Sequence, residues 1–177
     1  MAILLKQDES APASYPTTSP AITGNDVAWQ RIEPYIAYRY TSRAVTWVVE
    51  GPGEFVPPLK PASISTVEVW SDRAGEWETA PLDASPLGGY NLPCTGPYRF
   101  TATVGGGSPA PSVPAAVWEA VRRLAEYMAA KPGKAGARSE SIAAGSITVS
   151  HSRSESWMAA ALQNSGAADL LRGYRRV

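Results

Sequence analysis

Residues 98–104 alternate without a break: Tyr98, Phe100, Ala102 and Val104 are apolar, and Arg99, Thr101 and Thr103 between them are polar. Successive side chains of a strand point to opposite faces, so this pattern describes a strand with one face in a core and the other turned away. A strand cannot stand alone, because its backbone amides and carbonyls need partners. The rest of the chain must therefore supply neighbours. Thr46 and Trp47 among Val45, Val48 and Val49 have strand composition and close at Gly51-Pro52-Gly53. Ile64, Val67, Val69 and Trp70 form a second candidate. The turn SDRAG follows, and EWETAP resumes as its hairpin partner. Phe55 to Pro61 is proline-rich and suits an edge or a loop, and YNLPCTG at 90–96 reads as irregular. The expectation is a small twisted antiparallel sheet over 45–104.

Both flanks read differently. Residues 1–24 are expected to be a flexible arm, since 8–24 are rich in Ala, Pro, Ser and Thr without apolar periodicity. Asn25 or Asp26 can cap a helix, and Val27, Trp29, Ile32, Ile36 and Tyr40 follow at partial helical spacing. Pro34 either kinks this helix or opens a second one. In 113–133, Val117, Val121, Leu124 and Met128 share one helical face, widened by Trp118 and Ala125, and the stretch stops at Pro132-Gly133. Residues 131–146 read as a Gly/Ala/Ser-rich loop carrying Lys131, Lys134 and Arg138, and 147–152 as a brief strand. SESWMAAALQNS reads as a helix capped by Ser154 or Ser156, and helical character resumes through Leu170 and Leu171 until Gly173. The fold expected is α+β: a helical core, built on a long helix near 114–130 and the C-terminal helices, with a small antiparallel sheet and hairpin in the middle. Residues 25–177 form one domain, with a β-rich part at 45–104, a helical part at 113–173 and a tail at 170–177.

Little catalytic chemistry is available to such a chain. With 177 residues it can bury a core without disulfides, and Cys94 and His151 are its single cysteine and single histidine. A thiolate or histidine-rich metal site is excluded, and neither residue has the flanking sequence of a nucleophile motif. Asp72, Glu76 and Glu78 surround a turn without the register of a calcium loop. GGGSPAP at 105–111 lacks the Gly-Lys-Ser/Thr of a phosphate loop and reads as a hinge before the long helix. No enzymatic activity, metal or cofactor is expected. The apolar run Ile3 to Leu5 is too short to span a membrane or to be a signal peptide, which predicts a soluble chain of intracellular origin.

Sixteen basic and sixteen acidic side chains cancel, which argues against nucleic-acid binding through a basic footprint. The cancellation is uneven. Residues 51–104 carry three basic and six acidic groups, and 105–177 carry nine and five. Opposite charge on two regions suits stacked assembly, and a difference this small is also common in proteins of any kind. In the last residues Arg172, Arg175 and Arg176 surround Tyr174, a composition suited to docking on another protein, with a frayed terminus or DNA contact as the other readings. Trp47, Trp70, Trp118 and Trp157 suit core positions. Trp29 and Trp77 are open between core and interface anchor.

The order of these pieces resembles the head–tail connector (adaptor) proteins of tailed bacteriophages and gene transfer agents. LKPASISTVEVWSDRAGEWETAP is similar to that family's proline-led strand and hairpin. YRFTATVGGG is similar to its strand ending in a glycine bend, VPAAVWEAVRRLAEYM to its "V-P-x-x-I/V" helix, and ADLLRGYRRV to its "L-L-x-x-Y-R" terminus. The likeness covers about 60–177, and more loosely 28–177. At the front the family carries one or two well-formed helices, whereas this chain has a Pro/Ser/Thr-rich arm and a single helix interrupted by Pro34. The resemblance implies a non-catalytic virion protein at the neck, made in the host cytoplasm. It would form a homo-oligomeric ring of twelve copies that joins the portal protein to a tail, stopper or terminator protein. DNA would pass through the channel without sequence-specific binding, and no membrane is involved. Docking on the portal maps onto Leu170, Leu171, Tyr174, Arg175 and Arg176. The other reading is a small non-catalytic tail-completion or protein-binding module.

Overall fold

The computed structural model describes residues 2–18, 20–86, 88–107, 109–130, 139–144, 147–152 and 157–175. The chain forms two compact units: Met1–Pro16 with Ala37–Ser112, and Thr17–Ile36 with Val113–Val177.

The first unit is a β structure. Its strands are β1 (Ile3–Glu9), β2 (Arg43–Glu50), β3 (Gly53–Phe55), β4 (Ala62–Ser71), β5 (Glu76–Thr79), β6 (Tyr90–Leu92) and β7 (Tyr98–Val104). Five of them form an antiparallel sheet in the order β1-β2-β7-β4-β5, and β3 pairs with β6 in a separate ribbon. The alternating strand β7 lies at the centre. Register sets Trp47 of β2 and Val67 of β4 on either side of Phe100, and Val49 and Val69 on either side of Tyr98. One sheet face thus becomes continuous and apolar. Phe55 and Leu92 of the ribbon, with Leu59, join the same buried cluster. Phe55 stands 4.6 Å from Phe100 and 6.2 Å from Trp47, centroid to centroid.

β1 is held at the sheet edge by more than its ladder. Gln7 Oε1 accepts a hydrogen bond from Trp47 Nε1 at 2.9 Å. Glu9 receives Arg39 at 2.5 and 2.9 Å and Arg43 at 3.2 Å, and both arginines are buried. Burial alone would raise the Glu9 pKa, but the Arg39 hydrogen bond and the charges of Arg39 and Arg43 outweigh it and hold the carboxyl below its ordinary value. After β7, Gly105 turns the chain with φ +70°, and a Cβ there would strike the Thr41 carbonyl. Gly105→Ala is expected to cost about 1–3 kcal/mol, from left-handed strain and the clash together, read as a lower denaturant midpoint at unchanged slope.

The second unit holds α1 (Asn25–Ile36), α2 (Ala115–Ala129), the hairpin β8 (Ser139–Ala144) and β9 (Ile147–Ser152), the single turns α3 (Ala161–Asn164) and α4 (Ala167–Leu170), and a 3-10 turn at Arg172–Tyr174. α2 buries Val117, Ala120, Val121, Leu124 and Ala125, a stripe at helical spacing, against α1 and α4. Pro34 sits in the last turn of α1, where it withholds one amide from the Gln30 carbonyl but has only two helical residues after it, and it opens no second helix.

The expectation of a helical core with a small β region is therefore corrected. Among the described residues the chain is β-rich, with nine strands in three sheets against four helices, two of them single turns. The long helix is present, but the C-terminal helices shrink to single turns. The extra strands arise where composition hides them. β1 has three apolar residues followed by four polar ones, β3 and β6 are three residues each, and β8 is made of Ser, Ala, Glu and Ile. None shows period-2 alternation long enough to read, and all take strand geometry because a neighbour pairs their backbones. Ser154 and Ser156, offered as caps, and Lys131, Lys134 and Arg138 lie outside the described residues.

Candidate protein-interaction surfaces

The C-terminal segment is fastened by small and large apolar side chains four residues apart. Gly166, at φ +73°, starts α4, and Ala167 and Leu171 are both fully buried in the second unit. The backbone continues from helix to 3-10 turn through Leu171 N–H to the Ala167 carbonyl and Tyr174 N–H to the Leu171 carbonyl. This seating turns another i,i+4 pair outward: Leu170 is half-buried and Tyr174 is 38% exposed. Arg172 is exposed and pairs with Asp169 at 3.0 Å. The Arg175 guanidinium lies 4.8 Å from the centre of the Tyr35 ring. Of the residues expected to dock, Leu170, Arg172, Tyr174 and Arg175 thus share one short segment with accessible surface, Leu171 serves as its buried anchor, and Arg176 lies outside the described residues.

The two unplaced tryptophans separate. Trp29 is fully buried on α1, edge-on to Trp118 at 5.5 Å, and presents no surface in this conformation. Trp77 is half-buried on β5, opposite Trp70 across the hairpin, with the rings 5.5 Å apart. The Arg99 guanidinium sits 4.5 Å from the Trp77 ring and binds Glu68 at 2.7 Å. The Arg99 hydrogen bond holds the Glu68 carboxyl below its ordinary value. Trp70, expected in the core, is instead half-buried on the Arg99 side of the sheet. Its place follows from the turn: Ser71–Glu76 pairing puts Trp70 opposite Trp77, and Glu68 opposite Arg99 on the same face. The hairpin turn in the sequence was the signal for this ladder.

Charge on α2 is largely spent within the helix. Arg122 reaches Glu119 at 2.7 Å and Glu126 at 2.6 Å, and Arg123 reaches Glu119 at 2.7 Å. The hydrogen bonds from Arg122 and Arg123 pull the Glu119 pKa down to about 2. Beside this ladder, Thr18, residues 20–23 and Trp118 border an open groove of about 710 Å³.

Cys94 Sγ lies 2.7 Å from the Tyr98 hydroxyl, and burial, followed by the Cys94 contact, pushes that phenol's pKa up. His151 stands in β9. Asp72, Glu76 and Glu78 are exposed around the β4–β5 turn, and among the described residues no cluster of three or more His, Cys, Asp or Glu could hold a metal. No helix among the described residues is long and apolar enough to cross a membrane.

No family model matches the chain, and no curated protein matches it. Among solved structures it is similar to a chain described as "Neck of native GTA particle computed with C12 symmetry". The TM-score is 0.47 at 16% identity, over 86% of this chain and 80% of that one.

Proposed function

We propose that this chain is a structural neck protein that assembles as a ring between a portal and a tail or stopper component, with DNA passing through the ring. The observation that carries the reading is the C-terminal segment. Buried Ala167 and Leu171 fix it, while Leu170, Arg172, Tyr174 and Arg175 offer an aliphatic, aromatic and arginine surface of the kind that dominates protein interfaces. The segments whose order resembles head–tail connectors support it, because they fold as connected pieces. Residues 59–81 span the β4–β5 hairpin and 98–104 its sheet neighbour β7, while α2 packs against α4, which leads into the terminus. Balanced charge, with α2 neutralised internally, suits a channel past which DNA moves without adhering.

Truncation before Leu171 would remove a buried side chain, so point variants on the exposed side are the cleaner test. Tyr174→Ala and Arg175→Glu are expected to weaken portal binding by about 30-fold or more. They should shift unfolding free energy by less than about 1 kcal/mol, as exposed substitutions do. Binding is read by co-sedimentation with portal rings, and assembly of the wild-type chain by light scattering. A chain that stays monomeric with portal present overturns the proposal in favour of a small binding module. Unchanged binding in both variants moves the docking site elsewhere.

A further inference from the structure

The β8–β9 hairpin forms a two-stranded sheet of its own, and among the described residues its strands pack chiefly on each other. Every hairpin side chain whose burial is described is exposed, including the facing pair Ile142 at 59% and Val149 at 47%. A lone two-stranded hairpin is marginal in water and needs a third strand or a covering layer. Its edges also lack the usual protection. The free edges of the five-stranded sheet carry charge: Lys6, Asp8 and Glu9 on β1, and Glu76 and Glu78 on β5. Between Ser139 and Ser152 the sequence has one carboxylate, Glu140, and no lysine, arginine or proline. An edge without such protection is a ready template for pairing with another chain.

We propose that the hairpin pairs edge to edge with the hairpin of a neighbouring copy of this chain, β8 of one beside β9 of the next. A strand donated by an unrelated protein would satisfy one edge and leave the other open. Head-to-tail pairing of identical hairpins satisfies both, since β8 and β9 are each six residues long and antiparallel. The amides available are identifiable. Two residues separate Ala144 from Ile147, and in so tight a connection the flanking pair and every second pair exchange backbone hydrogen bonds within the hairpin. The intervening pairs, Ala143 with Thr148 and Ser141 with Ser150, turn their N–H and C=O groups outward. The inference rests on the reading that copies of the chain assemble.

Full-length chains carrying Cys94→Ser are mixed so that some copies have Ser141→Cys alone and others have Thr148→Cys, Ser150→Cys or Ser152→Cys alone. One cysteine per copy rules out a bridge within a hairpin. Mild oxidation is expected to yield the mixed disulfide dimer from one of these combinations well above either single-variant dimer. Adding Thr148→Pro to the Ser150→Cys copies removes one outward amide without touching a pair bonded within the hairpin. It should cut that cross-link by about tenfold, while Thr148→Ala should not. Assemblies of normal size by light scattering with no mixed cross-link in any combination overturn the hairpin contact and leave the ring reading standing. Monomers throughout overturn both.

Discussion

Trp47→Ala is expected to destabilise the sheet unit by about 3–5 kcal/mol, enough to threaten its folding outright. The indole is fully buried at the middle of β2, faces Phe100 across the ladder and packs edge-on to Phe55. Its loss would open a void shared by the sheet and the β3–β6 ribbon, where collapse is restrained by backbone pairing on both sides. Trp47→Phe separates the two roles of the residue. It keeps most of the ring but drops the hydrogen bond to Gln7, so it should cost about 1 kcal/mol beyond any packing change and loosen β1 selectively. Guanidinium unfolding followed by far-ultraviolet circular dichroism gives the first number. Proteolysis within residues 10–18, whose cutting should rise in the phenylalanine variant, reports the second.

Glu9→Gln is expected to cost about 2–4 kcal/mol and to release β1. The substitution keeps the shape but leaves Arg39 and Arg43, both buried, without the carboxylate that neutralises them. Acid should imitate the variant. The folded pKa of Glu9 lies below the value of 4.5 it has when the chain is unfolded. Its contribution is therefore complete above that value and is lost as pH falls through the lower folded one. Wild-type stability should decline in that acidic window, with β1 becoming sensitive to protease. The Glu9→Gln variant should lack this part of the pH dependence. An identical acid profile in both proteins would mean that the cluster does not hold the strand.

Legibility in the sequence followed the reach of each signal. The alternation of 98–104 and the stripe Val117, Val121, Leu124 each place one side chain after another on a single face, so β7 and α2 stand where the residues put them. The β4–β5 hairpin was readable from its turn. Missed strands share another property. Ile3–Glu9 and Ser139–Ala144 carry no face to bury, and their geometry comes from hydrogen bonds to distant or neighbouring backbone. The arginine- and tyrosine-rich C-terminal segment stood out by composition, but the division of labour inside it did not. Leu170 and Leu171 are adjacent and chemically identical. Which one becomes the anchor depends on the phase of a single helical turn started by Gly166.

By itself, then, the sequence determined where the central strand and the long helix lie and which residues punctuate them. These are local properties, set by residue type and by spacing over a few positions. Only the tertiary structure decided that β1 joins the sheet, that Trp70 packs edge-on to Trp77 beneath Arg99 rather than entering a core, and that Trp29 and Leu171 are buried while Tyr174 is not. Each of those outcomes turns on pairing register or packing between residues far apart in the chain, and the free energy that selects it exists only once both partners are in place.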